Sequence, residues 1–416
     1  MTKPSPHLLS GDASMQKIRS VLEKIAHRFC FQKTTLGVMT DATLAITHAE
    51  ISKRHGTGAL LAKILENEPS LAVLYSHQLF GWNDIGRAVH VEHSDTSRIA
   101  ARKKVAKILA GARVARILCV PYYPDEVLSA LAASDISGAP ITLYIMDDQN
   151  IYADGISDDL MGELVARSAI CFAISEPLRN AYREKYGRDF WIIPPVVDPA
   201  HFVPANFEFP KNDPPQGVLI GNVWSAEILS RFRRMIQFSG LQLDWYGNAG
   251  KPFIELDPKR LATEGLHLKT LVPEEELINA LRAADYAVVP AGTLDGTDSH
   301  DWLARASLPS RIIYLMATAN LPILVLGHPE TAAAQFVTKF GLGEVCGYDS
   351  NKFVDSVQRL TIPSLSKAIR ATAQRFSQAF SSKDLTQWIW RSTQLGRPMD
   401  LRYENIFRPV PVEPEE

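Results

Sequence analysis

Short apolar runs rich in Val, Ile and Leu alternate along the chain with longer stretches of helical period, the pattern of a parallel sheet covered by helices on both faces. In the first half, Thr35–Thr40, Leu71–Tyr75, Arg116–Val120, Ile141–Met146, Ile170–Ile174 and Phe190–Ile193 predict strands. Ala59–Glu66, Thr96–Ala110, Asp125–Ala133 and Glu176–Tyr186 predict helices between them. The alternation breaks at Pro194-Pro195-Val196-Val197-Asp198-Pro199, and up to Pro215 no amphipathic period returns, so a linker is expected there. It restarts with strand Gly217–Gly221, helix Ala226–Phe238, strands Leu241–Tyr246 and Leu266–Lys269, helix Pro273–Ala284, strand Ala287–Pro290, helix Ser310–Thr318 and strand Ile323–Leu326. The fold class is α/β, with two Rossmann-like units.

Ser366–Ser381 is helical in period, and Leu385–Leu395 concentrates Trp388, Ile389 and Trp390, which predicts a helix docked on a partner surface. The expected organisation is 1–205, 206–384, and a tail 385–416 whose helix returns to the first domain before the Pro-containing end frays.

A length of 416 residues is too much for one ordinary core and suits two. With 44 basic against 46 acidic residues, the chain lacks the field that duplex binding requires, so nucleic acid is not an expected partner. Met1 to Ser14 offers no apolar h-region, and nowhere do about eighteen apolar residues run together. A cytoplasmic protein is expected, with peripheral membrane contact left open. Cys30, Cys119, Cys171 and Cys346 are far apart and form no metal-ligand spacing, so they read as small buried hydrophobes and no metal is expected.

Four stretches carry chemistry. His55-Gly56-Thr57-Gly58 precedes a helix, where glycines let backbone N–H groups reach an anion or sugar; a plain tight turn is the alternative. Asp147-Asp148 follows a buried strand at the carboxyl edge where open α/β sheets bind ligands, and either acid can orient a hydroxyl, take a proton, or simply cap a turn. Gly221-Asn222 closes the first strand of the second unit and leads to Arg231, Arg233 and Arg234, which suit a diphosphate or a solvated face. Finally, Ser307 and Ser310 supply hydroxyls at a helix start whose dipole favours negative charge, and Arg311 adds a cation.

Ser307-Leu308-Pro309-Ser310-Arg311, the helix ending Met316-Ala317 and the strand from Leu321-Pro322-Ile323 together resemble the Pro-Ser-Lys/Arg…Tyr-x-Ala-x-Gly-x-Pro-Val signature of family 4 GT-B glycosyltransferases. The resemblance also takes in Gly56-Thr57-Gly58, Ile174-Ser175-Glu176, Pro194 to Asp198 before Phe202, and Val272 to Leu277 leading to Ala284-Asp285-Tyr286, covering most of residues 35–350 in order. It implies two Rossmann-like domains facing a cleft. The second would bind a UDP- or GDP-linked sugar as substrate, with no cofactor, and the first would bind a glycan, glycolipid or small-molecule acceptor. Hexosyl transfer with retention, without an essential metal, in polysaccharide assembly is the implied activity.

Carried over, Gly221 and Asn222 lie near the donor diphosphate, Ser310 and Arg311 hold phosphate or ribose, and Asp147 sits near the transferred sugar. Family members carry a Glu for the donor ribose in this helix and another eight positions earlier; Tyr314 and Ala306 stand there in this chain. Tyr314 can still donate to ribose, and Asp298, His300 or Asp301 can stand near the sugar. The missing acids keep two alternatives open: a catalytically silent binder of a glycan, nucleotide or partner transferase, and a sugar-nucleotide epimerase or hydrolase.

Overall fold

The computed structural model describes residues 34–79, 81–223, 225–247, 254, 256–269, 271–297 and 301–408. Strands β1 (Met39–Ala49), β2 (Leu71–His77), β3 (Arg87–His90), β4 (Ala112–Val120), β5 (Ile141–Ile145), β6 (Ser168–Ala173) and β7 (Trp191–Ile192) form one sheet, ordered β3-β2-β1-β4-β5-β6-β7. Strands β8 (Gly217–Ile220), β9 (Leu243–Tyr246), β10 (Leu266–Lys269), β11 (Tyr286–Pro290), β12 (Ile323–Leu326) and β13 (Gly343–Cys346) form a second, ordered β10-β9-β8-β11-β12-β13. Pairing is parallel in both, for example Thr47 with Val120 and Ile220 with Tyr246. Central strands are buried on both faces, which is why β12 reads as an unbroken apolar run and β5 as one interrupted only by Thr142. The fold is therefore two Rossmann-like α/β domains.

The order reverses beside β1 in the first sheet and beside β8 in the second. Such switch points open a crevice at the carboxyl ends of the strands, so each domain presents its ligand edge there. One apolar cluster runs through both domains, including Ile117 and Leu143 of the first sheet and Val289 and Ile323 of the second. A separate cluster around Phe232, Trp245 and Phe353 backs the second sheet.

One strand expectation needs correction, and the edge strands β3 and β13 are not among those expected from the sequence. The first strand begins at Met39 and runs to Ala49, later than Thr35–Thr40. Thr43 and Thr47 make that stretch look polar, yet both are buried, and Thr43 donates to Glu68 at 2.6 Å. The edge strand β3 has a single fully buried residue, so no alternation marks it. The helix expected over Ser366–Ser381 spans Pro363–Ser377 and ends in a tighter turn, Gln378–Phe380; Pro363 sets its start.

The helix Leu385–Leu395 packs on the first sheet. Trp388 lies 5.6 Å from Phe172, Thr393 bonds Thr142 at 2.6 Å, and the Trp390 indole donates to Glu68 at 2.7 Å. Cys119, Cys171 and Cys346 are buried free thiols. Among the described residues, no helix is long and apolar enough to cross a membrane. Met1 to Ser14, Cys30, Asp298, His300 and the tail 409–416 lie outside the described residues.

Candidate functional site

Several of the residues singled out in the sequence meet at facing carboxyl edges of the two sheets. After β1, the helix Gly56–Leu65 starts at a cap made by His55, whose Nδ1 accepts from the Gly58 N–H at 3.3 Å while Nε2 donates to the Glu50 carbonyl at 2.8 Å. One ring nitrogen thus serves the cap and the other the Glu50 carbonyl. Burial lowers the His55 pKa, which favours the neutral ring that this role needs. Gly58 is glycine for packing, since a Cβ there would stand 2.4 Å from the Ser52 carbonyl oxygen. Gly56 instead faces the other domain, where a Cβ would come within 3.7 Å of Ser310 Oγ.

Ser310 is the first residue of the helix Ser310–Ala319, which has no side-chain cap. Two helix N-termini, one from each domain, therefore meet at Gly56 and Ser310. The dipoles of the two helix starts favour an anion at that place.

Arg311 sits beside this point. Its guanidinium donates to the carbonyls of Ile220 at 3.1 Å and Asn222 at 2.9 Å, bracing the loop in which Gly221 takes φ +80°. Burial lowers its pKa to about 10, only partly opposed by Tyr348, and among the described residues no carboxylate pairs with it. Its charge is thus met by backbone carbonyls and not, among the described residues, by a carboxylate.

The other arginines are occupied elsewhere. Arg231 pairs with Asp295 at 3.0 Å and also contacts Thr297. Arg233 makes a bidentate pair with Glu264, and Arg234 lies over the exposed Phe238 ring. Asp301 accepts from the Leu294 and Gly296 N–H groups, fixing the loop that carries Asp295.

The two acids after β5 separate cleanly. Asp148 is fully buried and accepts from four backbone N–H groups, those of Asn150, Ile151, Tyr152 and Ala153, and from the Tyr182 hydroxyl. That set uses its oxygens to hold the loop. Asp147 accepts from the Tyr122 hydroxyl at 2.8 Å, and Tyr122 in turn accepts from Thr57 Oγ1 at 2.7 Å, because its single proton is already given to the carboxylate. Burial raises the Asp147 pKa; the Ser307 and Tyr122 hydroxyls oppose this and Asp148 adds to it. Ser307 comes from the second domain, and its buried Oγ has no hydrogen-bond partner of good geometry among the described residues. Thr57, Tyr122, Asp147 and Ser307 thus form one polar row across the cleft.

Tyr314 takes part in a different cross-domain cluster. Its hydroxyl donates to Glu274 at 3.3 Å, Lys63 of the first domain lies 4.9 Å over its ring, and Lys63 and His201 also face Glu274 at 3.8 and 3.5 Å. Further along the seam, Ser175 bonds the Ala306 carbonyl and Lys339 pairs with Glu176 at 2.6 Å.

Sequence reasoning missed His48, His77, Tyr122, Tyr123 and Glu126, which line the first-domain edge. His77 ends the apolar strand β2, a position that could have drawn attention to it. Burial, then the neighbouring His55 and His77, lower His48 to about 3. Burial raises Glu126 to about 7 against hydrogen bonds from Ser76, Tyr122 and Tyr123.

These shifts give a pH prediction. Glu126 is raised above its unfolded value of 4.5, so the native state holds its proton more tightly and its contribution declines as pH rises from 4.5 to about 7. Relative to Glu126→Gln, the wild type should lose on the order of 3 kcal/mol of stability over that window in urea titrations. A difference between the two that stays flat with pH would refute the assignment. His48 acts oppositely: its contribution is full above 6.5 and lost as pH falls toward 3, in both proteins alike.

Two Rossmann-like domains with their ligand edges turned to one cleft are the GT-B architecture. Solved structures of that architecture superpose on most of the chain. HepE of Anabaena in complex with UDP and glucose matches with a TM-score of 0.60 at 12% identity, over 85% of this chain and 99% of that one. WaaG, a glycosyltransferase involved in lipopolysaccharide biosynthesis, matches at 0.51 and 12%, over 85% and 99%. A UDP-N-acetylglucosamine 2-epimerase matches at 0.52 and 11%, over 87% and 98%. No family model matches the sequence, and no curated protein is significantly similar to it. At such identities the likeness defines the fold, while function rests on the site.

Proposed function

We propose that the protein is a glycosyltransferase that moves a hexose from a UDP- or GDP-linked donor to an acceptor held by the first domain. The observation that carries this reading is the meeting of two helix N-termini at Gly56 and Ser310 beside the carboxylate-free cation Arg311. A diphosphate supplies the charge such a place lacks. Gly221 and Asn222 form the adjoining wall. Asp147, fixed by Tyr122 and facing Ser307, orients the transferred sugar or the acceptor hydroxyl, while Asp148 braces the loop beneath it. The UDP-bound state of the HepE structure agrees with a nucleotide-sugar donor. We assign the domains as 1–205 and 206–384, with the helix Leu385–Leu395 completing the first.

Transfer with retention, without a metal or other cofactor, follows if the donor phosphate itself helps deprotonate the acceptor while Arg311 and the helix dipoles stabilise the leaving diphosphate. A cytoplasmic role in polysaccharide or glycolipid assembly belongs to the same reading. One observation favours a catalytically silent binder instead: Tyr314 and Ala306 occupy the places of two acids, and Tyr314 is engaged with Glu274.

Thermal shift with UDP, GDP and their sugar conjugates, followed by assay of nucleotide release, tests the proposal; a ligand that binds only the native state stabilises it by mass action. Binding without turnover on any acceptor selects the silent reading. Arg311→Ala should weaken nucleoside-diphosphate binding by about 1.5–3 kcal/mol in calorimetry, the range of a charge-assisted hydrogen bond, with the protein still folded. Unchanged affinity removes Arg311 from the donor site.

A further inference from the structure

We propose that the acceptor is itself a carbohydrate, seated on a ledge of rings at the carboxyl edge of the first sheet; this deepens the glycosyl-transfer reading and rests on it. Tyr123 is 41% exposed yet stacked on His77, with ring centres 4.2 Å apart and planes at 30°. Behind them His48 lies 6.5 Å from Tyr123 and 3.9 Å from Tyr122, whose hydroxyl bonds Asp147. An unbroken row of rings thus leads from solvent to the carboxylate at the reaction centre.

The ledge is held rigid from below. Both the Tyr122 and Tyr123 N–H groups donate to Glu126 Oε2, at 3.0 and 2.6 Å, and Ser76 bonds the other oxygen of the same buried carboxylate. Ser76 also bonds His77 Nδ1 at 2.8 Å. One buried acid therefore fixes both exposed rings. Rings ordered in advance present a binding face at little further entropic cost.

The chemistry of the ledge selects the ligand class. Flat apolar faces with polar edges fit a pyranose, which offers C–H groups on one face and hydroxyls at its rim. The His48 Nδ1 is buried beneath the ledge and, among the described residues, has no hydrogen-bond partner, so its polar capacity there is unused by the protein. A lipid chain needs aliphatic lining instead. The exposed large aliphatic side chains, such as Val38, Ile99 and Leu271, lie elsewhere, and among the described residues none belongs to 48–55, 77–84 or 121–126.

The test uses the full chain with methyl glycosides and disaccharides of glucose, galactose, mannose and N-acetylglucosamine as probes, and farnesyl phosphate as the lipid alternative. Saturation-transfer NMR should show a sugar contacting the protein through one pyranose face, and nucleotide release should depend on that sugar. Tyr123→Ala should raise its KM by about five- to tenfold, the effect of losing one stacked ring, while Tyr123→Trp restores it. Donor affinity, read by the thermal shift with UDP or GDP, should not change in either variant. Transfer to farnesyl phosphate with none to any glycoside overturns the inference, as does a Tyr123→Ala protein with unaltered KM. If no nucleotide sugar binds at all, the transferase reading fails; a sugar still contacting the ledge by NMR then supports the ledge independently.

Discussion

Asp147→Asn should lower turnover by about 10²–10⁴-fold, the span associated with a positioned acid or base, while leaving nucleotide affinity within about twofold. The split arises because the nucleotide is assigned to the second domain, whereas Asp147 stands at the edge of the first, tied to Thr57 through Tyr122. A group that acts on the transferring sugar is felt in the transition state more than in the ground state. Asn keeps the shape and can still accept from Tyr122, so the fold should be spared. Steady-state kinetics with calorimetry on the same preparation decides the matter: parallel losses in turnover and affinity would mean a disturbed cleft. Full activity would remove Asp147 from the mechanism.

The neighbouring acid should behave in the opposite way. Asp148→Ala should destabilise the protein by about 4 kcal/mol, because four backbone N–H groups and a tyrosine hydroxyl lose their common acceptor inside the fold. Asp148→Asn, keeping one acceptor oxygen, should fall between that variant and the wild type. Urea titration reads the loss directly, and any remaining folded Asp148→Asn should bind nucleotide normally. If Asp148→Ala melts with the wild type yet is inactive, the roles of the two acids are exchanged.

The adjacency of these two residues shows what a linear reading reaches. The sequence places both at the end of a buried strand, but it offers no means of telling a loop brace from a site residue. The distinction depends on the loop folding back so that Asn150 to Ala153 point their N–H groups at Asp148. His55 is a similar case: beside two glycines it reads as a ligand contact, and only the backbone path of residues 50–58 turns one of its nitrogens to the helix cap and the other to the Glu50 carbonyl. The arginines of the helix Ala226–Ser239 look alike by spacing, but Arg233 meets Glu264 and Arg231 meets Asp295 through elements distant in sequence.

What the sequence by itself determined is the alternation of strands and helices, the break between two α/β units, and the strand ends that open onto the cleft. Those features are local: a buried parallel strand must be apolar throughout, and a helix start must show its cap and small residues. Even there, Thr43 and Thr47 hid the first strand, since their polar atoms are accommodated by tertiary neighbours. The tertiary structure alone decided which residues share the cleft. It set Gly56 against Ser310, aimed Ser307 at Asp147, and assembled His48, His77, Tyr122 and Tyr123 into one row. Those pairings join positions up to hundreds of residues apart, and they are fixed by how two sheets and their crossovers stack, which no short window of the chain contains.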